Sequence, residues 1–538
     1  MSTNVIDGLD PAPGSLQGRL ATTPAPAAGR SVRLGTRHYP VLLPNLRDAR
    51  LHVAAVIVSI HVLGQVALDF RVSVPQILAA IFACALFEVV AQFATRRVIA
   101  WPASAMLTGS GVALILRDAG MDAGQHWSFH HWWWFALIAT GSLATKYLIQ
   151  WQGSHVFNPS NVGLVVAFLL LGSDRIEPLD FWWAPLGAPM VGAYLLIIVG
   201  GVLITRRVGL LGMATAFWAT LGACLGALAL AGHCMVTSWS LQPVCDAGFW
   251  WKVMSSPETM IFLFFMITDP RTVPVGRRER VVFGVGVGVA SALFMAPWQT
   301  EFGAKVGLLS GLVAVCAARP AVAWLSERVG ERRTGLHLAG WVRIPSIAAA
   351  AAAILAVVAL AGAPSRAVTS PLDDLSGADP RGIVPVIDTA ALPEVTAEDR
   401  VFDLMGADAD LVAVCTELVR ILEVESIALT ARDHELLPVV NHGVRLDELG
   451  QRIDAAGADG AIMTESYDFA SLHLDVIRGE GQGNLSIGVI ATGTLTEHLT
   501  QPDGSSTEVA TAPFERTFAM RPGADGRWFL VAVTTAER

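Results

Sequence analysis

Charge is scarce in this chain. Asp, Glu, Lys and Arg make up only 15% of its 538 residues, and lysine is almost absent, so arginine carries nearly all of the positive charge. A soluble globular protein draws about a quarter of its residues from those four types. With 53% hydrophobic residues and a mean hydropathy of +0.52, the composition excludes an ordinary water-surrounded fold over the full length. Cysteine is sparse too: the six present are scattered and form no iron–sulfur or zinc ligand set. No nicotinamide fingerprint occurs. The Gly284, Gly286, Gly288 spacing lies inside an apolar run without the strand and acidic partner that a dinucleotide site requires, which leaves close helix packing as its reading. A net charge of −9 gives no reason to expect a nucleic-acid partner. No cleavable apolar segment precedes the first long apolar run, so residues 1–48, rich in Pro, Ala, Gly and Ser, read as a disordered cytoplasmic leader.

What is abundant is long apolar sequence. Runs near the length that crosses a bilayer are centred on Leu51–Phe70, Val74–Val90, Ala100–Leu116, Trp132–Leu148, Ser160–Leu171, Ala188–Ile204, Val208–Ala231, Val253–Ile267, Val281–Ala296, Val306–Val315 and Ile344–Ala361. Two of them are short, so the expectation is ten or eleven spans. Arginines cluster in alternate connections: Arg30, Arg33, Arg37, Arg47 and Arg50 before the first run, then Arg96/Arg97, Arg206/Arg207, Arg277/Arg278/Arg280 and Arg328/Arg332/Arg333/Arg343. The positive-inside rule places those connections, and the N-terminus, in the cytoplasm. Beyond Pro364 the balance reverses, with acidic residues outnumbering basic ones more than twofold. The predicted fold is a polytopic α-helical membrane protein over 49–363, a linker over 364–382, and a small soluble α+β domain over 383–538 on the extracytoplasmic side. In that domain the pattern predicts helices over Asp410–Glu423 and Leu446–Ala456 and strands over Asn484–Leu499, Glu508–Met520 and Arg527–Thr534.

Several polar residues sit where apolar ones are expected. Glu88 lies inside the second run with Gln92 and Arg96 on the same helical face; it either pairs with Arg96 or Arg97 near the cytoplasmic end or belongs to an ion or proton path. Lys146, at the end of the fourth run, is either a snorkelling lysine or a second member of that path. Asn158-Pro159 has the form of a helix start, asparagine as cap and proline in the first turn. Thr268-Asp269-Pro270 ends an apolar helix. The run His126 to Trp134 and the pair Trp182, Trp183 fit an aromatic belt at headgroup depth; His126, His130 and His131 have no known ligand spacing and no carboxylate cluster beside them, so no metal site is expected. Cys84, Cys224 and Cys316 read as small packing residues. Cys234 and Cys245 share one loop and are either bridged or two thiols.

Five segments in order resemble a known family. They are Ala85-Leu86-Phe87-Glu88 followed by Arg96-Arg97, Thr108 to Leu116, Lys146-Tyr147-Leu148 with Gly153 to Asn161, Phe265-Met266-Ile267-Thr268-Asp269-Pro270, and Phe283 to Gly288. Together they are similar to the RnfD/NqrB family, the membrane components shared by the Rnf electron-transport complex and the sodium-translocating NADH:quinone reductase. The resemblance implies a bacterial plasma-membrane component of an oxidoreductase or translocase, lipid around it, and other membrane or extracytoplasmic redox proteins as partners. It points to Asn158, Pro159, Thr268 and Asp269 as cofactor-binding residues and to Glu88 and Lys146 as an ion path. That family carries flavin mononucleotide esterified to a threonine. Here no threonine occurs between Lys146 and Ile204, so a flavin is expected to be non-covalent at most. The alternative is a non-redox transporter, scaffold or accessory protein of specialised metabolism that has lost the covalent flavin site.

Overall fold

The computed structural model describes residues 31–34, 37–44, 48–121, 124–173, 175–180, 186–237, 239–241, 243–330, 340–363, 378–406, 408–456, 460–478, 485–501, 505–523 and 526–535. Most of the leader and linker, Trp182, Trp183, Arg332 and Arg333 lie outside those residues. The chain divides into two compact units, Met1–His233 with Cys245–Ala367, and Cys234–Val244 with Val368–Arg538.

The first unit is helical. Among the described residues, five of its helices are long and apolar enough to cross a membrane: Ala49–Ala67, Val74–Arg96, Ala188–Val208, Leu211–Leu230 and Glu301–Ala321, the last being the front of a helix that continues to Gly330. The shorter Ala103–Ile115 and Pro159–Leu171 helices also lie in apolar runs, as do Trp132–Leu148, Arg277–Met295 and Gly340–Ala361. The Val74–Arg96 helix starts at a full capping box, in which Ser73 and Gln76 satisfy each other's free amide, with proline in the first turn. The run expected over Val253–Ile267 is not one helix. An Asp246–Ser255 helix stops, Ser256 caps a new one over Pro257–Ile261, and a π-helical turn follows over Phe262–Met266. The cause is local: Ser256 and Pro257 form a helix start in the middle of apolar sequence. Gly284 and Gly288 allow the Arg277–Met295 helix to lie directly on Leu211–Leu230, since a Cβ on Gly284 would fall 2.5 Å from the Met213 carbonyl oxygen. Residues 31–34 and 37–42, within the expected leader, form an antiparallel pair extended by a parallel bridge to Ile99–Ala100. Cys234 and Cys245 form a disulfide.

The second unit contains a five-stranded sheet in the order Val395–Ala397, Ile462–Arg478, Leu485–Thr500, Ser506–Pro522, Trp528–Thr535, antiparallel except for the first pairing. The Leu411–Ala431 and Gly443–Ala455 helices accompany it. Val414, Leu418 and Ile421 from the longer helix meet Leu472, Leu474, Ile487, Val489 and Phe518 from the sheet in one apolar core. The Ile462–Arg478 strand was not expected from the sequence. A register shift between Phe469 and Ser471 explains it: Tyr467 and Phe469 face the core before the shift, Leu472 and Leu474 after it, so the period-two pattern changes phase mid-strand. Beside the core, Arg445 holds Glu425 through bonds of 2.6 and 3.1 Å, both side chains being nearly inaccessible.

Removing one partner of a buried pair leaves an uncompensated charge. Arg445→Met is expected to lower the stability of the sheet unit by about 3–5 kcal/mol, whereas Arg381→Ala, at the exposed ion pair with Glu417, is expected to cost less than about 1 kcal/mol. Hydrogen exchange of the strand amides in the full chain measures both; equal losses would contradict the assignment.

Candidate functional site

Two of the segments that carry the resemblance, Gly153 to Asn161 and Phe265 to Pro270, meet in space. A two-residue hairpin, Gln150–Trp151 with Ser154–His155, leads into Asn158, whose side chain caps the Pro159–Leu171 helix by accepting from the Asn161 amide at 3.3 Å. The same Asn158 side chain donates to the Met266 carbonyl at 3.0 Å, at the end of the π-helical turn. His155 Nε2 lies 2.9 Å from Asp269 Oδ2, and the Ser154 hydroxyl donates to the Arg271 carbonyl at 3.1 Å. Asn158, Pro159 and Asp269 are thus brought to one place. Thr268 is directed back along its own helix, its hydroxyl donating to the Phe264 carbonyl at 2.5 Å. Asp269 also accepts from the Arg271 amide, closing the turn after the helix. Burial works against ionising Asp269, but the hydrogen bond and charge of His155 and the Arg271 contacts outweigh it, so its pKa lies below the ordinary aspartate value.

His155 is the member that the sequence reading missed; its only sequence signal is its position in the turn before Asn158. Asn161, one helical turn further on, donates to the Leu309 carbonyl at 3.0 Å while its own side-chain oxygen, fully enclosed, accepts from no described residue. The buried Ser110 hydroxyl is in the same condition, and the Ser110 carbonyl lies 3.2 Å from His61 Nε2. These are polar groups with bonding capacity to spare in an otherwise apolar interior.

A second cluster joins Glu88 to Lys146. The carboxylate, buried at 3% exposure, receives Lys146 Nζ at 3.0 and 3.3 Å, the Tyr147 hydroxyl at 2.5 Å and Gln92 Nε2 at 2.7 Å. Its partner is Lys146, on the Trp132–Leu148 helix, and not Arg96 or Arg97. Lys146 therefore does not snorkel to solvent. With one cation, one anion and two neutral donors, the cluster is satisfied as a unit and holds two helices together. Such a unit can pass a proton or exchange it for another cation only by breaking the pair.

The histidine run also acquires a partner. Asp118, buried on a short strand over Leu116–Asp118, sits 2.9 Å from His131 Nδ1 and 3.7 Å from His130 Nε2, with one ligand atom of each of the three within 4.8 Å of the others. The carboxylate missing from the sequence pattern is supplied by the fold. The two imidazoles are more than two-fifths exposed, and the group serves equally as an acid–histidine brace at the end of the Trp132–Leu148 helix.

The His155–Asp269 pair sets a pH dependence. With its folded pKa depressed, Asp269 contributes stability that is present above the unfolded aspartate value and lost as pH falls through the folded value. His155→Ala is expected to destabilise the protein by about 1–3 kcal/mol at neutral pH and to flatten this acid limb in thermal unfolding of the purified chain; an acid limb as steep as that of the wild type would contradict the pairing.

Compared with known proteins, the chain matches no family model and no curated protein sequence.

Proposed function

We propose that this chain is a multi-pass protein of a bacterial plasma membrane, built on the RnfD/NqrB scaffold, and that it takes part in membrane electron transfer or a transport process coupled to it. The observation that carries this reading is the contact between the two motifs most specific to the resemblance: Asn158 donates to the carbonyl of Met266, and His155 pairs with Asp269. Segments about a hundred residues apart in sequence, whose resemblance rests on their order along the chain, converge as a shared site would require. The satisfied Glu88–Lys146 pair supports an ion-handling role, since ionisable side chains inside a membrane domain are costly and concentrate on substrate and ion paths. In this reading the arginine-rich connections face the cytoplasm and the acidic second unit faces outward. A flavin, if carried, is held non-covalently by enclosed polar groups such as Asn161 and Ser110, because the stretch from Lys146 to Ile204 offers no threonine for an ester. That same absence favours the second reading, a non-redox transporter or accessory protein on the same scaffold.

The visible spectrum of the detergent-purified chain, before and after denaturation, separates the two. The electron-transfer reading expects a flavin absorption that leaves the denatured protein on gel filtration. A colourless preparation contradicts electron transfer through this chain, and flavin that stays with the denatured polypeptide contradicts non-covalent binding.

A further inference from the structure

We infer that Glu258 is the seat of an exchangeable proton inside the helical unit. The Ser256 hydroxyl caps the short Pro257–Ile261 helix by accepting from the Thr259 amide at 3.2 Å, and this start places Glu258 in the first turn at 6% exposure. Neither of its carboxylate oxygens has a hydrogen-bond partner on another described residue. The contrast with the other buried acids is sharp. Glu88 accepts from Lys146, Tyr147 and Gln92; Asp118 accepts from His131 and the Gly120 amide; Asp269 accepts from His155 and the Arg271 amide. A carboxylate stripped of water and given no donor by its neighbours is among the costliest groups a protein interior can hold, and a neutral carboxyl is far cheaper.

The surrounding charges point the same way. Lys305 and Glu301, from the Glu301–Gly330 helix, Asp180, after the Ile176–Pro178 strand, Arg117, from the Leu116–Asp118 strand, and Tyr194, from the Ala188–Val208 helix, all interact electrostatically with Glu258. Neither cation hydrogen-bonds Glu258, although one Arg117 nitrogen, Nη2, has no hydrogen-bond partner of its own among the described residues. Lys305 Nζ lies 2.8 Å from Glu301, 3.4 Å from Asp180 and 3.4 Å from the Pro178 carbonyl. Arg117 donates to the Leu116 carbonyl at 2.8 Å and lies with its guanidinium 4.8 Å from the centre of the Phe70 ring. Glu301 and Asp180 both hold Lys305 directly, while neither Glu258 oxygen has a hydrogen-bond partner on another described residue. A proton on Glu258 removes an enclosed negative charge that no neighbour bonds and asks for no donor from the protein. Loss of that proton would compete for Lys305 and loosen its hold on Glu301 and Asp180, so the protonation state of Glu258 is tied to how the Glu301–Gly330 helix is held.

The inference rests on the helical unit being embedded in lipid and is independent of any redox group. Infrared difference spectroscopy of the full chain in lipid tests it. The expected result is a protonated-carboxyl carbonyl band at neutral pH that shifts on transfer to heavy water, is missing in Glu258→Gln and persists in Glu88→Gln. A wild-type spectrum without the band, a band that does not shift in heavy water, or a band retained in Glu258→Gln would overturn it. Glutamine mimics the neutral carboxyl, so Glu258→Gln is expected to fold with the wild-type unfolding midpoint; a variant that fails to fold would show that a negative charge is required there and would equally overturn the proposal. A flavin-free preparation that shows the band leaves this inference standing while the electron-transfer reading fails.

Discussion

The constraint on which the rest of the helical unit depends is an inversion of the usual arrangement of side chains. Leu230, Leu148, Val66 and Leu170 are between 76% and 92% exposed, while Glu88, Glu258, Glu301, Lys305 and Arg117 are at 6% or less. In water the apolar belt would cost roughly 25 cal/mol for every Å² left uncovered, and the enclosed ions would add their desolvation. In lipid the balance reverses: the belt is at ease, and an ion that faced outward would be the expensive one. In that setting an enclosed polar group gains from a partner within the protein, and those without one among the described residues, such as the Glu258 carboxylate, stand out.

That requirement explains how the helices are held. In the proposed membrane setting there is little hydrophobic drive between helices, so close packing of small residues and a few polar ties carry the association. Gly284 and Gly288 bring one helix pair into backbone contact. Glu88 with Lys146 ties the Val74–Arg96 helix to Trp132–Leu148, and Ser291 ties the Arg277–Met295 helix to Glu301–Gly330 through the Leu308 carbonyl. Asn158 and Asn161 do the same for the Pro159–Leu171 helix, each using its amide nitrogen to reach a carbonyl on a distant segment. The polar residues that stabilise the unit are thus also the ones with chemistry to offer, and Glu258 is conspicuous because it does no tying.

Local features were legible in the sequence and pairings across it were not. The Asn158 cap with Pro159 in the first turn is a property of two consecutive residues, and it stands where it was read. The apolar runs reported where helices lie because lipid or a packed interior needs unbroken apolar length; the break at Ser256-Pro257 was passed over because hydropathy averaged over a window is blind to a cap inside it. For Glu88 the sequence left open a pairing with Arg96 or Arg97 or a place on an ion or proton path, and the pairing it offered was a near one because sequence proximity favours a residue two turns away over Lys146, 58 positions on. His155 with Asp269, and Asp118 with His131, are likewise set by which helices pack, and nothing in either local pattern encodes the other. In the sheet unit the last three strands were found to within a few residues, while Val395–Ala397, only three residues long, and Ile462–Arg478, whose alternation changes phase at the shift between Phe469 and Ser471, were not.

Lipid around the helical unit is the central claim, and spin labels at Phe82 and Leu195, both on long apolar helices and both more than half exposed, test it most directly. With the chain reconstituted in bilayers, the account predicts that each label collides far more often with dissolved oxygen, which concentrates in the hydrocarbon, than with a water-soluble nickel complex. Labels at these two positions that collide chiefly with the nickel complex would place the apolar belt in water and contradict the account.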